Sequence, residues 1–364
     1  MEIIDINLQG NQHILANKRN DKFRGCLLGG AVGDALGYAV EFWDEEEILA
    51  YYGECGITEY ELTDGKALIS DDTQMTLFTA EAILKAAVSG EGLENYTAFV
   101  SESYKEWLIT QCSRQPSPEN KNKECLLSLP ELYSRRAPGN TCLDAIARGA
   151  NGTMENPIND SKGCGGIMRV APIGLLYDSS GFLSNQADLL GAAAAALTHG
   201  HELGYIPAAA LVHMVRLLAH NDEMSMLDAV LDTKENLQRL FAGKAHLGEM
   251  TNLIDKAIFL ARQDLNDRDA IRELGEGWVA EETLAIALYC CLKYSDDFEK
   301  AIIASVNHSG DSDSTGAVTG NILGAYLGLS AIPKKYQKNL ELRRVILRVA
   351  DALYRRCSDN DKIH

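Results

Sequence analysis

The segment densest in chemistry runs from Asn307 to Gly316 (NHSGDSDSTG). Asp311 and Asp313 alternate with Ser312 and Ser314 on a glycine-bounded loop that leads into a helix. Alternating carboxylate and hydroxyl oxygens on a tight loop are hard ligands, suited to Mg2+, Mn2+ or Ca2+ rather than to zinc. An EF-hand is excluded. Counted from Asp311, Gly316 fills the sixth position, but Ile322 stands where the twelfth position needs Glu. The competing reading makes both Asp residues caps of the following helix. A second segment, Leu68 to Met75 (LISDDTQM), sets Ser70, Asp71 and Asp72 before another helix. One Asp suffices for a cap, and adjacent carboxylates repel unless a cation offsets them. Together the two clusters offer six oxygen ligands, enough for two divalent ions.

Two glycine-rich segments add candidates. In Gly25 to Phe42, Gly29, Gly30, Gly33 and Gly37 permit close backbone approach, and Asp34 and Glu41 stand seven apart. An unbroken helix would set these two carboxylates two turns apart, which Gly37 argues against. No strand precedes the glycines, so a dinucleotide fingerprint is not supported. In Lys162 to Gly174, Gly163, Gly165 and Gly166 free backbone amides to face an anion, though a plain flexible loop reads the same way. His199 is a lone candidate, and a satisfied structural histidine is the commoner case.

The elements that must position these residues are helical. The chain has 364 residues and only 8 Pro, and its Ala-rich stretches suit long helices. Helical spacing appears over Thr73–Ala87, Tyr96–Ile109, Gln186–Thr198, Ile206–Ala219, Met224–Phe241, Asn252–Arg262, Ala280–Lys293, Phe298–Asn307, Thr315–Leu327 and Leu340–Arg356. Asp71, Asp72 and Thr73 supply capping chemistry for the first of these. Period-two alternation is almost absent. The expected fold is all-α, one compact multi-helix domain over residues 21–364 behind a polar N-terminal extension, residues 1–20. Gly316, Gly320, Gly324 and Gly328 recur every fourth residue; close helix packing explains the stripe better than a membrane dimer.

Composition bounds the partners. With 52 acidic and 34 basic residues the net charge is −18, which argues against nucleic acid and against an anionic membrane. The N-terminus is acidic where a secretory signal would be basic. Nine scattered Cys form no C-x-x-C pair and read as reduced, which points to the cytoplasm.

Taken in order, GDALG with Glu41 downstream, SDDTQM, RAPGNT, GCGGIMRVAPIG, Thr198-His199 and GDSDSTG resemble the ADP-ribosylglycohydrolases, the family of the dinitrogenase reductase-activating glycohydrolase and the ADP-ribosylarginine hydrolases. The resemblance spans about Asp21 to Leu327. It implies two divalent cations, Mg2+ or Mn2+, in a central cleft, and removal of ADP-ribose from modified protein side chains. By position it makes Ser70, Asp71, Asp72, Asp311, Asp313 and Ser314 the metal ligands. Glu41, Asp71 and Asp72 become the catalytic group. The turn Gly163, Cys164, Gly165, Gly166, Ile167, Met168 and Arg169 would hold the diphosphate and distal ribose, with His199 and Asp34 also at the substrate. Cys164 is not implied as a nucleophile. The leading substrate is ADP-ribosylarginine, since a guanidinium leaving group suits an acidic cleft; O-linked ADP-ribose is the alternative. A third reading, from another class, is an immunity protein whose extension 1–20 blocks an ADP-ribosyltransferase toxin.

Overall fold

The computed structural model describes the backbone of residues 2–121, 125–176 and 184–360, and the side chains of residues 17–121, 125–176 and 185–357. The chain is mostly helical, and among the described residues there is no strand. Helix α1 (Glu2–Gly37) turns through Glu41 into α2 (Glu45–Tyr52). Then come α3 (Asp71–Ser89), α4 (Tyr96–Cys112), α5 (Asn140–Ala147), α6 (Ala171–Gly174), α7 (Ser184–Ala196) and α8 (Glu202–His220). They are followed by α9 (Met226–Leu240), α10 (Leu247–Ala261), α11 (Asp267–Leu274) and α12 (Ala280–Lys293). The chain closes with α13 (Phe298–Val306), α14 (Ser312–Leu327), α15 (Lys334–Gln337) and α16 (Arg343–Asn360).

Five short helices were not expected. α6 and α15 are single turns of four residues. α2, α5 and α11 have eight residues each, too few turns for periodicity to register. Their signals are local: α2 starts with a capping box between Asp44 and Glu47, and α11 with an Asn266 cap. Helix α14 starts three residues before Thr315, so Asp313 and Ser314 belong to its first turn. The α3 cap also differs from expectation. Ser70 is the N-cap, its hydroxyl accepting from the Asp72 amide at 3.2 Å, while Asp71 and Asp72 sit inside the first turn.

The glycine stripe on α14 meets a matching stripe on α1. Gly25 lies against Gly324, Gly29 against Gly320 and Gly33 against Gly316, so the helices run antiparallel with backbone touching backbone. Three successive glycine pairs put backbone against backbone along this seam. A Cβ added at Gly316 would lie 2.6 Å from the Gly33 carbonyl oxygen, inside van der Waals contact. The stripe forgoes about 1 kcal/mol of helix propensity per glycine. Its structural effect is to bring the C-terminal end of α1 to the N-terminal end of α14.

The helices around this pair are deeply buried. α8 is long and apolar enough to cross a membrane by composition (mean hydropathy 1.3), but 83% of it is buried inside the protein, so core packing accounts for its apolarity. His213 on α8 lies between Asp188 of α7 and Asp232 of α9, both at 2.7 Å, and ties the three helices together. The backbone of α1 is helical from Glu2 to Gly37, and Lys18 pairs with Asp222 at 3.3 Å. The side chains of residues 1–16, where most of the expected extension falls, lie outside the described residues.

Candidate functional site

The antiparallel seam sets Asp34, near the end of α1, beside the start of α3. Asp34 is fully buried and acts as a remote cap. Oδ1 accepts from the Ser70 amide at 2.9 Å, and Oδ2 from the Thr73 amide at 3.0 Å and from the Thr73 hydroxyl. It thereby fixes the α3 turn that carries Asp71 and Asp72. Burial pushes its pKa up to about 6, against these hydrogen bonds, which pull it down. Asp34 thus holds the framework; both of its oxygens are occupied by protein donors.

Three helix ends converge here. The α3 start supplies Ser70, Asp71 and Asp72; the α14 start supplies Asp311, Asp313 and Ser314; the turn after α1 supplies Glu41. All seven are buried. Asp311 caps α14 through the Ser314 amide at 3.2 Å, and Asp313 accepts from the same amide at 2.8 Å. The Ser314 side chain is hydrogen-bonded to Asp72, linking the two helix starts. Asp311 therefore makes the bond of a cap, while Asp313 binds the same amide from inside the first turn.

The electrostatics are unfavourable as they stand. Burial raises Asp71, Asp72 and Asp313 well above the usual carboxylate range, and their mutual repulsion raises them further. Burial pushes Glu41 up to about 9, with Asp311, Asp71 and Asp34 adding to it. Glu41 Oε2 and Asp72 Oδ2 are buried without any hydrogen-bond partner. Orphaned buried carboxylate oxygens are costly unless a cation offsets them. The basic side chains nearby are already engaged: Arg136 pairs with Glu341, and Lys162 with Glu281. Among the described residues no three His, Cys, Asp or Glu groups close into a ready-made cage. The fit to divalent cations therefore rests on the donor set: hard oxygens only, surplus negative charge, and two orphaned carboxylate oxygens.

The glycine turn lies directly against this cluster. The Cys164 thiol donates to Asp311 Oδ2 at 2.7 Å, and burial with the Asp311 charge raises its pKa well above the ordinary thiol value. It is a neutral donor and no thiolate nucleophile. Residues 164–166 form a single 3-10 turn, whose first amides have no acceptor within it. The turn is pinned to the start of α12 by Cys164 N to Trp278 O (3.2 Å) and Ala280 N to Lys162 O (2.9 Å). His199 packs on it, its Nε2 3.4 Å from where a Gly163 Cβ would lie. Gly163 and Cys164 are half-buried at the edge of the turn, and Gly165 and Gly166 are already buried. Ile167, Met168 and Arg169 are buried beneath the turn, so the Arg169 guanidinium supports it from below.

Several further residues brace the site in ways that local sequence does not specify. Thr73 binds Asp34. The 136–140 turn braces Asp71 through the Arg136 carbonyl (3.3 Å) and Gly139. Thr198 bonds His199. Phe42 and Trp278 stack at 5.9 Å beside Glu41 and the glycine turn, and no sequence pattern joined them. A cavity of 850 Å3 between α3, residues 125–129 and α16 contains none of these residues. A smaller one, of 560 Å3, is lined by Trp278, His308 and Ser309 and adjoins the site. Size therefore does not locate the chemistry; the buried charges do.

Comparison with known proteins identifies the family and the fold. The family model described as ADP-ribosylglycohydrolase matches residues 15–362. The match begins five residues before position 20, inside the expected extension. The ADP-ribosyl-[dinitrogen reductase] glycohydrolase of Rhodospirillum rubrum is 27% identical, over 92% of this chain and 96% of its own. ADP-ribosylhydrolase ARH3 of Mus musculus is 26% identical, over 88% and 87%. A solved structure described as an ADP-ribosylglycohydrolase-related protein complex shares the fold with a TM-score of 0.64 at 24% identity, covering 94% of this chain and 99% of that one.

Proposed function

The chain belongs to the ADP-ribosylglycohydrolase family, and from that premise we propose that it hydrolyses the N-glycosidic bond joining ADP-ribose to a protein arginine. The supporting observation is the pair of orphaned oxygens, Glu41 Oε2 and Asp72 Oδ2, in an acidic cluster set against the glycine turn. An acidic cleft suits a cationic guanidinium leaving group.

Ser70, Asp71, Asp72, Asp311, Asp313 and Ser314 would hold two divalent cations, Mg2+ or Mn2+. When bound, these ions supply Lewis acidity towards the ribose diol and an attacking water. The protein's own groups do the rest. Asp71 or Asp72 takes the water proton. Glu41, whose carboxyl is pushed towards its protonated form by burial and acidic neighbours, would exchange a proton with the substrate. The glycine turn and His199 receive the diphosphate and distal ribose by neutral donors, which an acidic surface requires. The buried cluster keeps bulk water from the oxocarbenium-like centre that forms as the C–N bond breaks.

The test is turnover of ADP-ribosylarginine and of serine-linked ADP-ribose by the full chain, with Mg2+, with Mn2+ and with chelator. Arginine-linked turnover that chelator abolishes supports the proposal. Turnover of the serine linkage alone would transfer the reading to O-linked ADP-ribose, and chelator-insensitive activity would remove the metals from it.

A further inference from the structure

Beneath the glycine turn lies a polar chain that the family match does not interpret. Arg169 is fully buried and, among the described residues, meets no carboxylate. Its Nη2 donates to Thr198 Oγ1 at 2.6 Å and to Ala194 O at 3.2 Å, Nη1 donates to Cys142 Sγ at 3.3 Å, and its carbon lies 4.2 Å over the Tyr104 ring. Thr198 Oγ1 in turn lies 2.8 Å from His199 Nδ1. A guanidinium can only donate, so the Thr198 oxygen accepts from it and has one proton left to place. Ala195 O is 3.4 Å from that hydroxyl and already accepts the amides of Thr198 and His199. The hydroxyl proton therefore goes to Nδ1.

We infer that Arg169 and Thr198 are positioning residues that lock His199 as the Nε2–H tautomer, an uncharged donor aimed at a ligand oxygen over Gly163 and Gly165. Among the described residues Nε2 has no partner, and it faces the turn. Burial, with Arg169 beneath, holds the imidazole pKa down at about 3, so the ring stays neutral across physiological pH. The chemical class of the ligand is an oxygen acceptor, a phosphate oxygen or a ribose hydroxyl. That part rests on the proposed function; the tautomer does not.

The experiment is 15N NMR of the imidazoles in the full chain, with His199 assigned by loss of its signals in His199→Gln. The expected result is an unprotonated Nδ1 and a protonated Nε2, unchanged from pH 5 to 8. Thr198→Val is expected to lose the fixed tautomer and to weaken ADP-ribose binding about tenfold. Thr198→Ser, which keeps the hydroxyl, is expected to restore both even where Thr198→Val proves unstable. A protonated Nδ1, an imidazolium within that range, or a Thr198→Ser protein that behaves like Thr198→Val overturns the inference. A correct tautomer whose signals ignore ADP-ribose would leave the relay standing and defeat the assignment of the turn as the ligand site.

Discussion

Replacing Gly316 by Ala sets two effects of opposite sign against each other. Helix propensity alone favours the substitution by about 1 kcal/mol. Packing opposes it. The new Cβ would lie 2.6 Å from the Gly33 carbonyl oxygen and 2.8 Å from both the Gly33 carbonyl carbon and Val306 Cγ1, where ordinary contact begins near 3.4 Å. α1 and α14 must therefore part by about 0.8 Å. Two of the three obstacles are backbone, which has no rotamer to change, and Gly320 and Gly324 hold the same seam closed further along. Overpacking of this kind costs about 1–3 kcal/mol, and the rigid seam puts it at the upper end. The expected net loss is about 2 kcal/mol. The assay is urea unfolding, read as a lower midpoint at constant slope. Gly248→Ala on α10 is the control. Its Cβ would meet nothing within 4 Å, so it should gain about 0.5–1 kcal/mol. Gly316 follows Ser314 by two residues, so a shift approaching 1 Å should also cut turnover by up to about a hundredfold. A Gly316→Ala protein as stable as the wild type would refute the close-packed seam and the argument that it positions the cluster.

Asp72→Asn should stabilise the protein without divalent cations. The Asp72 pKa is raised in the folded state, so its charged form opposes folding as pH rises above the unfolded value, by about 1.4 kcal/mol per pKa unit. The same variant should lose most of the Mg2+ stabilisation, which for the wild type is about 2.7 kcal/mol at a hundred times Kd, measured by thermal unfolding. Glu41→Gln should fold normally and lose about 10²–10⁴ in kcat, read with ADP-ribosylarginine. His199 and His220 have folded pKa values lowered to about 3 from 6.5. Their contribution is fully present above pH 6.5 and is lost as pH falls towards 3, because the unfolded chain takes up protons that the folded one refuses. The carboxylates titrate in both proteins, so the check is the difference: between pH 6.5 and 4 the wild type should lose stability relative to the double variant His199→Gln, His220→Gln.

Much of the fold was legible because its signals are local. The Ala280–Lys293 helix was placed to the residue, and α3, α4, α7 and α9 within a few residues at each end, since each is long enough for a buried face to repeat. The short helices α2, α5 and α11 escaped because eight residues give too few repeats. The α3 cap was misread because Asp71, Asp72 and Thr73 are all capping types, and which residue caps depends on where Asp34 reaches across from α1.

The candidate site divides along the same line. Ser70, Asp71, Asp72, Asp311, Asp313 and Ser314 stand out in the sequence because carboxylates and hydroxyls crowd together near helix starts, whereas Glu41 is picked out only by the family resemblance. Their residue types and spacing fix the chemistry they can do. That they face one another does not follow from spacing, since some 240 residues separate Asp71 from Asp311. The glycine seam decides it, because only two stripes of side-chain-free backbone let α1 and α14 run close enough to bring three helix ends to one place. Arg169 shows the converse. The sequence presents it as a cation beside an anion-binding turn, and burial makes it instead a donor to Thr198, whose remaining proton sets the tautomer of His199. Local pattern determined the elements and the donor types. Direction, burial and partnership are long-range properties, and only the tertiary structure decided them.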